Sequence, residues 1–232
     1  MSIAENVKEV REKIEIAAKK SGRESNKVAL IGVTKTVQTP QIKELLASNV
    51  KVLGENRVQE FLPKYEVLSR EMSAPPEWHF IGHLQRNKVK YIIDKVDLIH
   101  SVDSIELAQE INKQAQRFGK IMQFLAEVNI AKEPSKFGIC PDQILEVAKK
   151  LVNMRHVRLA GLMCVAPFVE NGEENRQNFK KMRNLLLDIQ RKGLYDTEIQ
   201  ELSMGMTGDY EVAIEEGATM VRLGTALVGS RQ

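Results

Sequence analysis

The chain has 232 residues, 43% of them hydrophobic and 28% charged, and 34 Lys and Arg against 31 Asp and Glu leave a net charge of +3. This is the composition of an ordinary globular chain with room for a sizeable core, and the charge balance gives no electrostatic reason to expect nucleic acid. No apolar run reaches about 18 residues, so no membrane span is expected; the N-terminus, MSIAENVKEV, lacks a signal-peptide core; and Cys140 and Cys164 have no metal-type spacing and read as reduced, cytosolic thiols.

Residues 2–20 read as an amphipathic helix, with Ile3, Val7, Val10, Ile14 and Ala17 on one face. Ser2 and Glu5 make a capping box and Gly22 ends the helix. Residues 28–35, VALIGVTK, form a short, near-continuous apolar run, as expected of a strand covered on both faces in a parallel sheet. Pro40 opens a helix over 41–48. A strand at 50–54 leads to a helix over 56–69, which Pro63 is expected to kink or divide. A strand at 78–82 precedes a helix around 84–93. The strand at 98–101 leads to a helix capped by Asp103 and running to about 118. Its inner face is Ile105, Ala108, Ile111 and Ala115, and Gly119 stops it.

A strand at 121–129 follows, then a helix over 142–151 started by Pro141, then a strand at 157–165. The long helix over 173–192 turns Phe179, Met182, Leu186 and Ile189 inward and ends at Gly193. A strand at 199–203, a helix over 209–216 stopped by Gly217, a strand at 219–223 and a terminal turn at 225–230 complete the chain. Strict strand–helix alternation implies parallel pairing with crossover helices. Eight units in a chain of this length fit a single α/β domain over 1–232, a (β/α)₈ TIM barrel with an extra N-terminal helix. The competing open, doubly wound sheet wants a Gly-rich turn after its first strand, and residues 33–37 have none.

In such a barrel, chemistry sits at the C-terminal strand ends, and phosphate sites often follow strands seven and eight. The stretch 201–226 breaks there into glycines and hydroxyls: Ser203, Gly205, Thr207 and Gly208, then Gly224 and Thr225. Glycine permits close approach and φ > 0, so backbone N–H groups can converge on an anion. Lys35 ends the first strand in register with Ala29, Ile31 and Val33 and points into the barrel mouth if that face is interior. A lysine partly desolvated there can serve as an amine nucleophile toward an aldehyde. An aldehyde that also carries a phosphate is pyridoxal 5′-phosphate. Arg222 shares the register of Met220, while Val221 and Leu223 face the helices. An inward guanidinium there could meet the cofactor's ring nitrogen, keep it unprotonated and leave a weak electron sink.

Taken together, VALIGVTKT, GENRVQE, WHFIGHLQRNK, IHSVDS, VNIAKEPSKFG, GLMCVAP and ELSMGMTGDY resemble the pyridoxal phosphate homeostasis protein family (YggS/PROSC type), and the resemblance runs from Val28 to the C-terminus. It implies an alanine-racemase-like barrel with Lys35 as the Schiff-base lysine. It also implies that Ser203, Gly205, Met206, Thr207, Gly224 and Thr225 surround the phosphate, that Arg222 lies at the pyridine nitrogen and that Asn56 lies near the cofactor. Thr34 and Thr207 stand where serine is common in the family, and both keep the hydroxyl.

The four histidines form no metal-ligand set and read as structural or hydrogen-bonding residues, although His79 could approach the mouth. Met163 reads as core or pocket wall, and Cys164 as a small buried apolar residue. The functional expectation is a cytoplasmic, monomeric cofactor carrier in vitamin B6 homeostasis, without catalytic turnover or metal, which passes its cofactor to pyridoxal-phosphate-dependent apo-enzymes. The alternative is a pyridoxal-phosphate-dependent amino-acid racemase. Racemases need a second base, supplied in alanine racemases by a tyrosine from an additional domain for which this chain has no length left. Of Tyr65, Tyr91, Tyr195 and Tyr210, only Tyr210 falls near the expected site.

Overall fold

In the computed structural model, which describes residues 1–193 and 199–229, the alternating apolar runs and amphipathic segments close into a barrel of eight parallel strands. The strands are β1 Ala29–Val33, β2 Val52–Glu55, β3 Glu77–Phe80, β4 Leu98–Val102, β5 Met122–Glu127, β6 Val157–Met163, β7 Glu201–Ser203 and β8 Met220–Leu223. The helices are α1 Ile3–Lys20, α2 Thr39–Ala47, α3 Val58–Glu71, α4 Val89–Ile92, α5 Ile105–Arg117, α6 Ile144–Leu151, α7 Arg176–Arg191, α8 Tyr210–Glu215 and α9 Thr225–Val228. Each strand pairs with its neighbours in sequence, and β1 closes the ring on β8 from Ala29 opposite Met220 to Gly32 opposite Leu223.

The strands separate two apolar layers, which is why they lack polar alternation. Ile31, Leu98, Leu125, Ala160, Met163 and Met220 fill the lumen. Leu30, Leu53, Phe80, Ile99, Phe124, Val221 and Leu223 face the helices. Period-two alternation on β1 and β8 therefore puts Ile31 and Arg222 on the inner side, where they are register partners. Outside the ring, α1 keeps the expected capping box and packs on α8 and α9, with Asn6 Nδ2 donating to the Leu227 carbonyl at 3.0 Å. Gly22, at φ +70°, turns the chain out of α1, and Arg23 then donates to the carbonyls of Ile214 and Ala218 at the end of α8.

Several boundaries differ from the sequence expectation. Pro63 neither divides nor ends α3, which is one helix over Val58–Glu71. The proline sits in its second turn, so the lost donor affects a single carbonyl near the N-terminal end. Ser104, not Asp103, caps α5: its Oγ accepts from the Leu107 N–H at 3.3 Å. The later start puts Leu107 rather than Ile105 on the buried face. The helix expected around 84–93 is a 3-10 turn, Arg86–Lys88, followed by the single-turn α4. The helices expected over 142–151 and 173–192 begin as 3-10 turns at Pro141–Gln143 and Gly172–Asn175. β5 and β6 stop at Glu127 and Met163, short of 129 and 165. Tyr195 and the end of the turn expected at 225–230 lie outside the described residues. Both cysteines are free, and burial pushes the Cys164 thiol up to about 12. Among the described residues, no helix is long and apolar enough to cross a membrane.

Candidate functional site

The C-terminal end of β1 is held firmly where it passes into Lys35. Thr34 is fully buried; its N–H donates to the Gly54 carbonyl at 3.0 Å and its Oγ1 to Glu55 Oε1 at 2.7 Å. Lys64, on α3, bridges the same Glu55 oxygen at 2.6 Å and the Thr34 carbonyl at 2.7 Å. On the other side, the Thr36 N–H donates to Glu60 Oε2 at 2.9 Å. A buried carboxylate is costly unless paired and hydrogen-bonded, and here that pairing clamps the turn. Lys35 projects from it half-buried, and among the described residues its amine makes no hydrogen bond or ion pair. One strand further round the ring, at the end of β2, Asn56 Oδ1 is buried with no partner among the described residues.

Arg222 is buried on β8, facing the lumen. Nη1 donates to Ser203 Oγ at 2.5 Å and Nη2 to the Cys164 carbonyl at 2.8 Å. Burial lowers its pKa from the ordinary arginine value, against the opposing pull of Glu127 and other nearby groups. A guanidinium has five N–H donors in a rigid fork, so most of its donor capacity remains for a ligand acceptor. Glu127 ends β5 opposite Met163, a lumen residue. Its carboxyl has no hydrogen-bond partner among the described residues. Burial, with a smaller contribution from Asp103, raises its pKa to about 7 against the pull of Arg222.

The two Gly/hydroxyl loops meet. Thr225 Oγ1, at the start of α9, donates to Thr207 Oγ1 at 3.2 Å. Thr207 and Gly208 are exposed, and their backbone N–H groups bond no other described residue. The Met206 N–H is used by Asp209 Oδ1 at 2.7 Å. Gly205 has φ +93° and its carbonyl accepts from the Arg222 N–H at 3.1 Å, which ties the loop to β8. A Cβ at Gly205 would lie 2.7 Å from Ala213 Cβ and 2.9 Å from Tyr210 Cα. Gly205→Ala is therefore expected to lower stability by about 2 kcal/mol and the thermal midpoint by roughly 4–8 °C. Calorimetry checks this, and an unchanged midpoint would mean the loop is not held in this conformation.

Lys35, Asn56 and the loops carrying Gly205, Met206, Thr207, Gly224 and Thr225 thus follow the C-terminal ends of their strands, and Arg222 is the next-to-last residue of β8. Ser203 is placed differently from the other loop residues. It is fully buried, with Oγ held by Arg222 and 2.9 Å from His100 Nδ1, so its hydroxyl serves the guanidinium. Neither His100 nor Glu127 was singled out by the sequence reading. Each carried one signal, a polar residue in an apolar strand at an inward position. Tyr210 is buried in the core, and burial raises its hydroxyl pKa. Chemically, the arrangement offers an amine for a carbonyl, a pocket of N–H and hydroxyl donors for an anion and a fixed cation for a ring acceptor. Among the described residues, no cluster of His, Cys, Asp and Glu could hold a metal ion.

The family model described as alanine racemase, N-terminal domain, matches residues 3–232. The pyridoxal phosphate homeostasis protein of Aquifex aeolicus is 45% identical over 232 residues, covering 100% of both chains. That of Pasteurella multocida is 35% identical over 231 residues, covering 100% of this chain and 98% of its own. Among solved structures, PipY of Synechococcus elongatus with PLP bound superposes with a TM-score of 0.85 at 30% identity, covering 98% of this chain and 100% of that one. Full-length similarity at these identities, on a closed eight-stranded barrel, makes this chain a member of the pyridoxal phosphate homeostasis protein family, built on the alanine racemase N-terminal-domain fold.

Proposed function

We propose that this chain is a single-domain, cytoplasmic, monomeric protein that holds pyridoxal 5′-phosphate on Lys35 for vitamin B6 homeostasis, passes it to apo-enzymes and turns over no substrate. The observation that carries this reading is the placement, toward the C-terminal end of one closed barrel, of a lysine amine with no partner among the described residues, a buried arginine and two joined Gly/hydroxyl loops. The residues present fit the group: among the described residues Asn56 Oδ1 is a buried acceptor without a partner, and the N–H groups of Thr207 and Gly208 have no acceptor. The names of the homeostasis-protein relatives, and the PLP bound in PipY, support the same choice.

When bound, the cofactor supplies an aldehyde that condenses with an amine, losing water, to a Schiff base. Lys35 supplies the amine, its backbone fixed by Thr34, Glu55 and Lys64. Gly205, Met206, Thr207, Gly224 and Thr225 line the phosphate pocket. Arg222 would offer its remaining donors to the ring nitrogen and, being cationic, would keep a proton off it. That weakens the electron sink on which carbanion chemistry depends, and favours holding over turnover.

The racemase reading has one observation in its favour and one against. Glu127, with a pKa near 7 at the barrel mouth, lies in the range of a general base. Tyr210 is buried with a raised pKa and is poorly suited to serve as one. The test is cofactor titration, followed by borohydride trapping with peptide mapping, beside a racemase assay on L-alanine. The expected result is a trapped label on Lys35 and no racemisation. A label elsewhere would sink the assignment, and turnover on the order of 1 s⁻¹ or more would establish the racemase.

A further inference from the structure

A chain of polar side chains crosses the apolar lumen beneath the site. Ser203 Oγ lies 2.9 Å from His100 Nδ1, His100 Nε2 lies 2.9 Å from His79 Nδ1, and His79 Nε2 lies 2.8 Å from Glu77 Oε1. The two rings are 4.9 Å apart, centroid to centroid. His79, His100 and Ser203 are buried on β3, β4 and β7, while Glu77, the first residue of β3, is open to solvent. Buried polar groups of this kind carry a desolvation cost that only complete pairing offsets.

The two ends set the direction of every bond. Arginine can only donate, and an ionised carboxylate can only accept. With both imidazoles neutral, one assignment satisfies all links. Arg222 donates to Ser203, the Ser203 hydroxyl to His100 Nδ1, the His100 Nε2–H to His79 Nδ1, and the His79 Nε2–H to Glu77. Reversing it would place the bare Nε2 lone pair of His79 against a carboxylate oxygen. Burial first, then the nearby His79 and Arg222, hold His100 well below the usual histidine range, so its ring is neutral at pH 7. The hydrogen bond from His79 lowers the Glu77 pKa, which keeps the terminal acceptor ionised.

We propose that His79 and His100 are positioning residues: with Ser203 they form a one-way hydrogen-bond chain, anchored on Glu77 at the N-terminal end of the barrel, that sets the aim of the Arg222 guanidinium at the other. The bond directions stand on the contact geometry with neutral rings between an obligate donor and an ionised acceptor, whereas the effect on a bound ring rests on the function proposed above. Ser203 is the link that matters, because a hydroxyl whose proton is committed to His100 presents its lone pairs to Arg222. The far face of the barrel thereby gains an influence on the electronic setting of the site.

Nitrogen-detected NMR of the ligand-free protein tests the chain directly. Each histidine should carry a proton on Nε2 and leave Nδ1 bare. An Nδ1–H tautomer at His100, or an imidazolium at His79, would overturn the proposal. Two variants at the solvent-open end then test the coupling. Glu77→Gln keeps a carbonyl acceptor and should preserve both tautomers and the cofactor absorption band. Glu77→Leu removes it and should mix the His79 and His100 tautomers, shift the band by several nanometres and weaken cofactor binding about threefold. If Glu77→Leu matches the unsubstituted protein in tautomers, band and affinity, the chain does not position Arg222. If no form binds the cofactor, the functional reading fails, while the tautomers still decide the chain.

Discussion

Lys35→Ala is expected to abolish borohydride trapping of pyridoxal 5′-phosphate completely and to weaken its binding by about a hundredfold, roughly 2.7 kcal/mol. The effect should be all-or-none in the covalent readout, because no second amine takes over the role. Lys64 is the nearest alternative along the chain of contacts, and its amine is committed to Glu55 at 2.6 Å and to the Thr34 carbonyl at 2.7 Å. Removing a half-buried side chain that makes no hydrogen bond or ion pair among the described residues should leave stability within about 0.5 kcal/mol, so loss of binding cannot be confused with loss of fold. Residual binding should come from the Thr207–Thr225 pocket and be competed by inorganic phosphate. Absorbance titration and mass spectrometry after reduction measure both parts. A variant that still traps the cofactor at full yield would move the covalent site away from β1.

Arg222 was legible in the sequence because it interrupts a short strand whose neighbours report its face, and Lys35 because it follows closely on another. On β1, Ile31 is inward and Leu30 outward; on β8, Met220 is inward and Val221 and Leu223 outward. Period two then carries the assignment to the strand end. Counting eight strands also placed the two Gly/hydroxyl loops side by side, and Thr225 does reach Thr207. The lumen contacts were not legible in this way. Alternation says that His79, His100 and Ser203 face inward, but not which of them meet across the barrel, since tilt and stagger decide that. His100 and Ser203 are 103 residues apart and joined by a single bond. Glu127 was hidden for a different reason. Alternation along β5, with Phe124 and Ala126 outward and Leu125 inward, does put Glu127 on the inner side, but a single carboxylate at a strand end reads equally well as a solvated residue, and its burial is set by the neighbouring strands. The cap of α5 was missed because Asp103 and Ser104 are both good cap residues, and tertiary context decided between them: Asp103 lies 3.2 Å from His83 Nδ1.

Glu127→Gln is expected to stabilise the ligand-free protein at neutral pH by up to about 3.5 kcal/mol and to make no difference near pH 4. The folded protein holds this carboxyl's pKa at about 7, against 4.5 for an ordinary glutamate, chiefly because burial disfavours the charged form. Between those values the folded chain keeps a proton that the unfolded chain has released. Stability attributable to Glu127 is therefore fully present below about pH 4.5, falls as pH rises toward 7 and is flat above it. At about 1.4 kcal/mol per pH unit, that interval sets the upper bound. Glutamine keeps the shape and cannot ionise, so its curve lacks the decline. The pull of Arg222 on the ionised form is already contained in the pKa of about 7, and without it the carboxyl would sit higher still. Urea unfolding of both proteins at pH 4, 5, 6, 7 and 8 gives the comparison. Curves that diverge between pH 5 and 7, with the variant higher, support a buried carboxyl poised to exchange a proton at the barrel mouth. Parallel curves would mean that Glu127 is solvated and that its position beside Arg222 has no consequence for proton handling.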